Sequence, residues 1–162
     1  MDNYREQKDA LLQEVDKLRQ RHQLSKTVEP DYYEPGQMEY LEQSNGFYDA
    51  NSGRIMLRFE AKGTRYEGRT EQIERVKLGD SIRVEREDTN LYNHNNFSLL
   101  TGKGRNVGNM PAELCNVIAP LFDEGKLQFQ QARVSYVEPI SKRSRHAKQA
   151  ILFVEVNAVL ME

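Results

Sequence analysis

The apolar positions of this chain switch between a helical period and a strand period. Over residues 2–24, Leu11, Val15 and Leu18 fall at i, i+4 and i+7, and Tyr4 stands a heptad before Leu11. That spacing predicts an amphipathic helix. An isolated helix of this length buries too little to be stable. It therefore either pairs with another copy as a short coiled coil, giving a homodimer through residues 2–24, or docks on the rest of the chain. From Phe47 onward the period is close to two. Ile55, Leu57 and Phe59 alternate with charged neighbours after the turn residues Asp49 to Gly53, which predicts a hairpin. Ile82 and Val84 point inward in a second strand, with Arg83 and Glu85 outward. "NFSLLT" and "GKGRNVGNM" read as two short strands around a glycine-rich turn.

A second helix is predicted from Pro111, a favoured first-turn residue. Leu114, Val117, Ile118 and Leu121 form its stripe, Gly125 is a stop, and Pro120 is expected to break or kink the last turn. Two long strands close the chain. In "LQFQQARVSYV" the alternation slips near Gln130–Gln131, the mark of a β-bulge. In "AILFVEVNAVL" every even position from Ala150 to Leu160 is apolar, giving one core face. The expected organisation is an N-terminal helix (1–24), a linker (25–46) and a β-rich domain (47–162). The fold class is mainly β with α (α+β), a small barrel or curled sheet with one inserted helix.

Composition narrows the function. Of the 162 residues 38% are hydrophobic, and the mean hydropathy is −0.80, so the core is modest. No apolar run approaches the roughly 20 residues of a membrane helix, and the N-terminus lacks a signal-peptide core. A cytoplasmic protein without a membrane partner is the expectation. One cysteine, Cys115, excludes an internal disulfide framework. The charge is uneven: residues 27–53 hold six acidic residues and no Lys or Arg, while residues 133–148 hold five Lys or Arg and one acid. A local basic face suffices for a nucleic-acid partner.

The segment "EREDTNLYNHNNFSLL" gathers Asn90, Asn93, Asn95, Asn96, Tyr92 and His94. A metal site is disfavoured, since His22, His94 and His146 are scattered and no HxH, HExxH or CxxC spacing occurs. Cys115 reads as a core thiol on the inserted helix. "GKGRNVG" lacks the Lys-Ser/Thr of a P-loop, and Glu87–Asp88 reads as a solvated turn. No motif supplies nucleophile, base and stabiliser together, so an enzyme is not expected, nor any cofactor. Binding chemistry is better represented. "GTRYEG" sets Arg65, a phosphate clamp, beside Tyr66, a stacking face. "NLYNHNN" adds Tyr92 with the short polar groups of Asn93, His94 and Asn95, suited to base edges or sugar hydroxyls. "SKRSRHAK" carries Lys142, Arg143, Arg145 and Lys148 between the last two strands, a candidate phosphate contact.

In order, "GTRYEG", "VEREDTNLYNHNNFSLL" and "GRNVGNMPAELCNVIAPLFDEG" resemble the HIRAN domain. That family shows an Arg-Tyr pair, a "REP-N-N-YD-xNA" stretch, and a "GxxxGYLP" turn leading into a helix that ends near "LAxLLDxG". The resemblance covers about Arg54 to Val159. It implies a small OB-like barrel that binds single-stranded DNA and captures 3′ ends, as a module of DNA-remodelling ATPases active in DNA repair. It also implies that Arg65, Tyr66, Tyr92 and Asn93 line the pocket. Asn93 replaces the family's frequent aspartate, Glu67 a frequent second tyrosine, and Asn96 a small residue. Without the aspartate's charge, discrimination against a 3′-phosphate should weaken.

The leading expectation is thus a non-catalytic, stand-alone module for single-stranded DNA or DNA 3′ ends, with an ATPase or helicase as possible partner. The rival is a protein-interaction adaptor that dimerises through its N-terminal helix. In that rival the acidic linker masks the basic face or recruits a partner.

Overall fold

The structure is a computed structural model that describes residues 3–28, 47–48, 52–66, 68–143, 146–147 and 149–161, with the side chains of 3, 19–28 and 47–48 excepted. The expected linker falls almost wholly outside these residues. Helix α1 (Asn3–Val28) runs four residues beyond its expected end, and the pair β1 (Phe47–Tyr48) and β2 (Arg54–Glu60) forms the expected hairpin. A short helix, α2 (Arg69–Ile73), follows. Next come β3 (Ile82–Glu87), β4 (Asn96–Thr101) and β5 (Asn106–Asn109). Helix α3 (Ala112–Asp123) then leads to β6 (Leu127–Glu138) and β7 (Ile151–Leu160).

The strands make two antiparallel sheets, β1-β2-β7-β6 and β3-β4-β5. Neither sheet closes on itself, so the architecture is α+β with two open, packed sheets. They meet at two seams, the bridge between Lys62 and Asn109 and the bridge between Ser81 and Arg133.

The period-two reading is confirmed in β7, where Leu152, Val154, Val156, Ala158 and Leu160 are all buried. The other face of β7 departs from simple alternation. Glu155 there is fully buried and pairs with Arg133 at 3.2 Å, and Arg58 on β2 donates to Ser135 at 2.9 Å. The bulge in β6 lies between Phe129 and Gln131, as the slipped alternation predicts, and a second lies between Val134 and Tyr136.

Two readings are corrected. Helix α3 is not broken at Pro120 but continues to Asp123: Pro120 removes one N–H and leaves the Glu124 and Lys126 amides to bond Pro120 and Leu121 carbonyls. A second inserted helix, α2, is present; its five residues are too few to show a period.

Of the two dispositions open to α1, the structure shows the intramolecular one. Leu11, Val15 and Leu18 are buried in the same core as Leu114, Ile118 and Leu160. Gln7 donates to Glu124, and the Lys126 ammonium lies 5.1 Å from the Tyr4 ring. Where β4, α3 and β6 meet, Phe97, Phe122 and Phe129 form an aromatic cluster with ring centroids 5.2–5.5 Å apart.

Candidate nucleic-acid interface

Two loops present the candidate residues, and each is held by its own sequence. The first follows β2. The Ala61 amide bonds the Leu152 carbonyl, and Lys62 and Asn109 exchange both backbone hydrogen bonds at 2.8 Å. Gly63 then turns at φ 68°, where a Cβ would come within 2.9 Å of Arg69 Nη1 and 3.3 Å of Asn109 Nδ2. Glycine is therefore required for both conformation and space. Arg69 donates to the Gly63 carbonyl at 3.0 Å, and Thr70 to the Thr64 carbonyl at 3.1 Å. The buried Thr64 donates onward to Ala150.

Between these anchors Arg65 and Tyr66 project into solvent. Arg65 Nη2 donates to the Tyr66 hydroxyl at 2.8 Å and its guanidinium lies 5.0 Å from the Tyr66 ring centroid. The pair forms one preformed unit, a cation resting on an aromatic face. Glu67 lies outside the described residues.

The second loop joins β3 to β4. Asn90 Oδ1 accepts the amides of Tyr92 (2.9 Å) and Asn93 (3.0 Å), an Asx turn. Asn93 Oδ1 accepts the Asn95 amide at 3.0 Å, and the amide groups of Asn93 and Asn95 both donate to Asn116 Oδ1 on α3 at 3.3 Å. His94 Nδ1 faces the Asp88 carbonyl at 3.1 Å, which makes Nδ1 the protonated nitrogen in that contact. These bonds throw the tip outward, leaving Tyr92 97% and Leu91 91% exposed. Leu91 was not legible as a site residue, since a lone leucine in a polar loop carries no pattern.

Glu87 corrects the solvated-turn reading. Its Oε1 accepts Asn90 (2.6 Å) and Asn96 (3.2 Å), and its Oε2 accepts the Ser98 hydroxyl (2.7 Å). Burial pushes the Glu87 pKa up and is the largest influence. The three side-chain donors and the Arg69 charge outweigh it, so the net direction is down. Asn96 also donates to Asn109 Oδ1 at 3.1 Å. Glu87, Asn96, Asn109 and Arg69 thus form a polar belt that runs from the root of the Tyr92 loop to Gly63 under the Arg65–Tyr66 loop. Asn96, where the family has a small residue, is a structural member of that belt.

The basic segment ends beside the first loop, where the Ala150 carbonyl accepts Thr64. Residues 140–142 make a 3₁₀ turn fixed by Glu74, which accepts the Ser141 hydroxyl (2.6 Å) and amide (3.3 Å). Those bonds hold the Glu74 pKa below its usual value. Arg143 pairs with Glu138 at 3.3 Å and donates to the Gln149 carbonyl at 2.8 Å, so its guanidinium fastens the loop. Lys142 is exposed. Arg145 and Lys148 lie outside the described residues.

The fold and its two loops define an α+β module that presents an arginine–tyrosine pair and a second aromatic tip on one polar base. The HIRAN domain family model matches residues 55–152, and the chain belongs to that family. No curated protein matches the chain. Among solved structures it is similar to the HIRAN domain of human HLTF, with 19% identity over 67% of this chain and 81% of that one and a TM-score of 0.47. The HLTF HIRAN domain in its DNA-bound conformation gives 19% identity, 66% and 76% coverage and a TM-score of 0.44. A Lactobacillus plantarum protein gives 18%, 65%, 98% and 0.45.

Proposed function

We propose that the chain is a DNA-binding module of HIRAN type that holds single-stranded DNA, 3′ ends included, without catalysing a reaction. The observation that carries this reading is the pairing of two exposed features on one rigid base: the Arg65–Tyr66 unit and the fully exposed Tyr92. Arg65 contacts a phosphate through the guanidinium donors that Tyr66 does not use, and Tyr66 and Tyr92 offer faces to unstacked bases. Asn93 keeps a second lone pair on Oδ1 for a sugar hydroxyl. Family membership makes DNA the polyanion favoured over others.

The test is fluorescence anisotropy with a short labelled single strand, comparing wild type with the double variant Arg65→Ala/Tyr92→Ala. Both side chains are exposed, so the fold should survive. Salt-sensitive binding that weakens at least about tenfold in the variant supports the reading, since one stacked base contributes about 1–3 kcal/mol. Absence of wild-type binding at low salt would remove it.

A further inference from the structure

A groove enclosing about 400 Å³ lies away from both loops, between α2 with its following turn and the β4–β5 hairpin. Val76 and Ile82 contribute apolar surface, Arg75, Lys103 and Arg105 are its cations, and Asp80 is its one acid. Several cations elsewhere in the fold are paired: Arg86 with Asp123, Arg133 with Glu155, Arg143 with Glu138, Lys126 with Glu124. Arg75, Lys103 and Arg105 have no side-chain hydrogen bond or ion pair among the described residues. Asp80 is engaged by its own turn, where Oδ2 accepts the Lys77 amide at 2.9 Å. Three unmatched cations facing one groove lined in part by apolar side chains make a site of the sort that takes a polyanion.

The cations stand on a stiff frame. In the hairpin the Gly104 amide bonds the Thr101 carbonyl (2.8 Å), the Thr101 amide bonds the Arg105 carbonyl (2.9 Å), and the Arg105 amide bonds Thr101 Oγ1 (3.2 Å). On the other side, α2 buries Arg69 and Ile73, and Arg75 follows them into the groove. The groove begins at the far end of α2, with Arg75 nine positions after Tyr66 in the chain.

We infer that this groove is a second phosphate-binding segment, which takes the sugar–phosphate backbone of a single strand as it continues past the Arg65–Tyr66 loop. The inference rests on the single-strand reading above. It extends the interface to residues that neither the sequence pattern nor the two loops single out.

The test uses the full chain with two labelled oligothymidylates, of about 6 and about 16 nucleotides, near the limits of single-fold footprints. The variant is Arg75→Gln/Lys103→Gln/Arg105→Gln, which keeps much of each side-chain stem. The longer strand should bind roughly tenfold more weakly to it at low salt, and the salt slope should be shallower by about 2, because each single-strand phosphate contact contributes about 0.7. The shorter strand should lose less affinity, because fewer of its phosphates reach the groove. Unchanged affinity and slope on the longer strand would overturn the groove while leaving the two-loop reading intact. Failure of the wild type to bind either strand would overturn both. If circular dichroism shows the triple variant unfolded, Lys103→Glu on the exposed turn is read by the same outcomes.

Discussion

Arg86 and Asp123 form a two-point ion pair, Nε to Oδ1 at 3.0 Å and Nη2 to Oδ2 at 3.1 Å, which ties β3 to the end of α3. The remaining nitrogen, Nη1, donates to the His94 carbonyl at 2.6 Å, and the guanidinium lies 5.5 Å from the Phe97 ring centroid. One planar cation therefore fastens the Tyr92 loop to the aromatic cluster beneath it. A lysine cannot reproduce the fork. Arg86→Lys should lower stability by about 1–2 kcal/mol, a figure kept small because Asp123 is half-exposed and screened. Urea unfolding checks the stability, and faster amide exchange at Tyr92 to Asn95 checks the loop. An unchanged exchange pattern would count against Arg86 as its fastener.

Glu87 gives the fold an acid-sensitive point. Its pKa is depressed in the folded state below the ordinary 4.5. Its stabilising contribution is therefore complete above the unfolded value and lost as pH falls through the folded one. Glu87→Gln should be less stable than wild type at neutral pH by about 1–3 kcal/mol, because buried Ser98 and Asn96 lose an acceptor. The gap should narrow as pH falls below the ordinary carboxylate value. Thermal melts from pH 7 to pH 3 measure it, and a constant gap would contradict the belt described above.

Leu11 is fully buried at the centre of the α1 stripe. Leu11→Ala should cost about 2–5 kcal/mol, the range for a truncated core leucine. Sedimentation of the full chain should return the mass of one copy, since the apolar seam is already covered within the chain. A dimer that Leu11→Ala dissociates would reverse this expectation.

Burial pushes the Cys115 thiol up to about 11, and its Sγ contacts the Met110 carbonyl at 3.4 Å. Deprotonation is thus negligible at pH 8 in the folded chain. A disulfide reagent should label Cys115 only as fast as the protein unfolds, and rapidly in denaturant. Prompt native-state labelling would contradict its burial.

Asn93 bears on the choice of strand terminus. Without a carboxylate charge, strands ending in a 3′-hydroxyl or a 3′-phosphate should bind within a few-fold of each other. Asn93→Asp should disfavour the phosphate by roughly tenfold through charge repulsion near the surface. Paired titrations of the two strands decide it, and exclusion of the 3′-phosphate already by wild type would defeat the idea.

The regular elements were legible because their side chains are sorted by burial. Leu11, Val15 and Leu18 mark one helix face, and the even positions of β7 mark one sheet face. The slip at Gln130–Gln131 showed the bulge for the same reason. What pattern could not show was set by pairings distant in sequence. Glu87 looks solvated until Ser98 and Asn96 arrive from the neighbouring strand, and Asn116 gains its role only when α3 lies beside the Asn93 loop. Arg143 looks like one more exposed cation until Glu138 and Gln149 take it up. The three groove cations lie on two segments about thirty residues apart, so no local motif announces them.

The reciprocal backbone bonds between Lys62 and Asn109 act as a rivet between two plates. The Arg65–Tyr66 loop leaves from one plate and the Tyr92 loop belongs to the other. The roots of the two loops are therefore joined by main chain, and exposed side chains can be exchanged without altering that join. Gly108 guards that rivet, because a Cβ there would press to 2.8 Å from the Lys62 carbonyl oxygen. The join between the two sheets thus depends on a residue with no side chain.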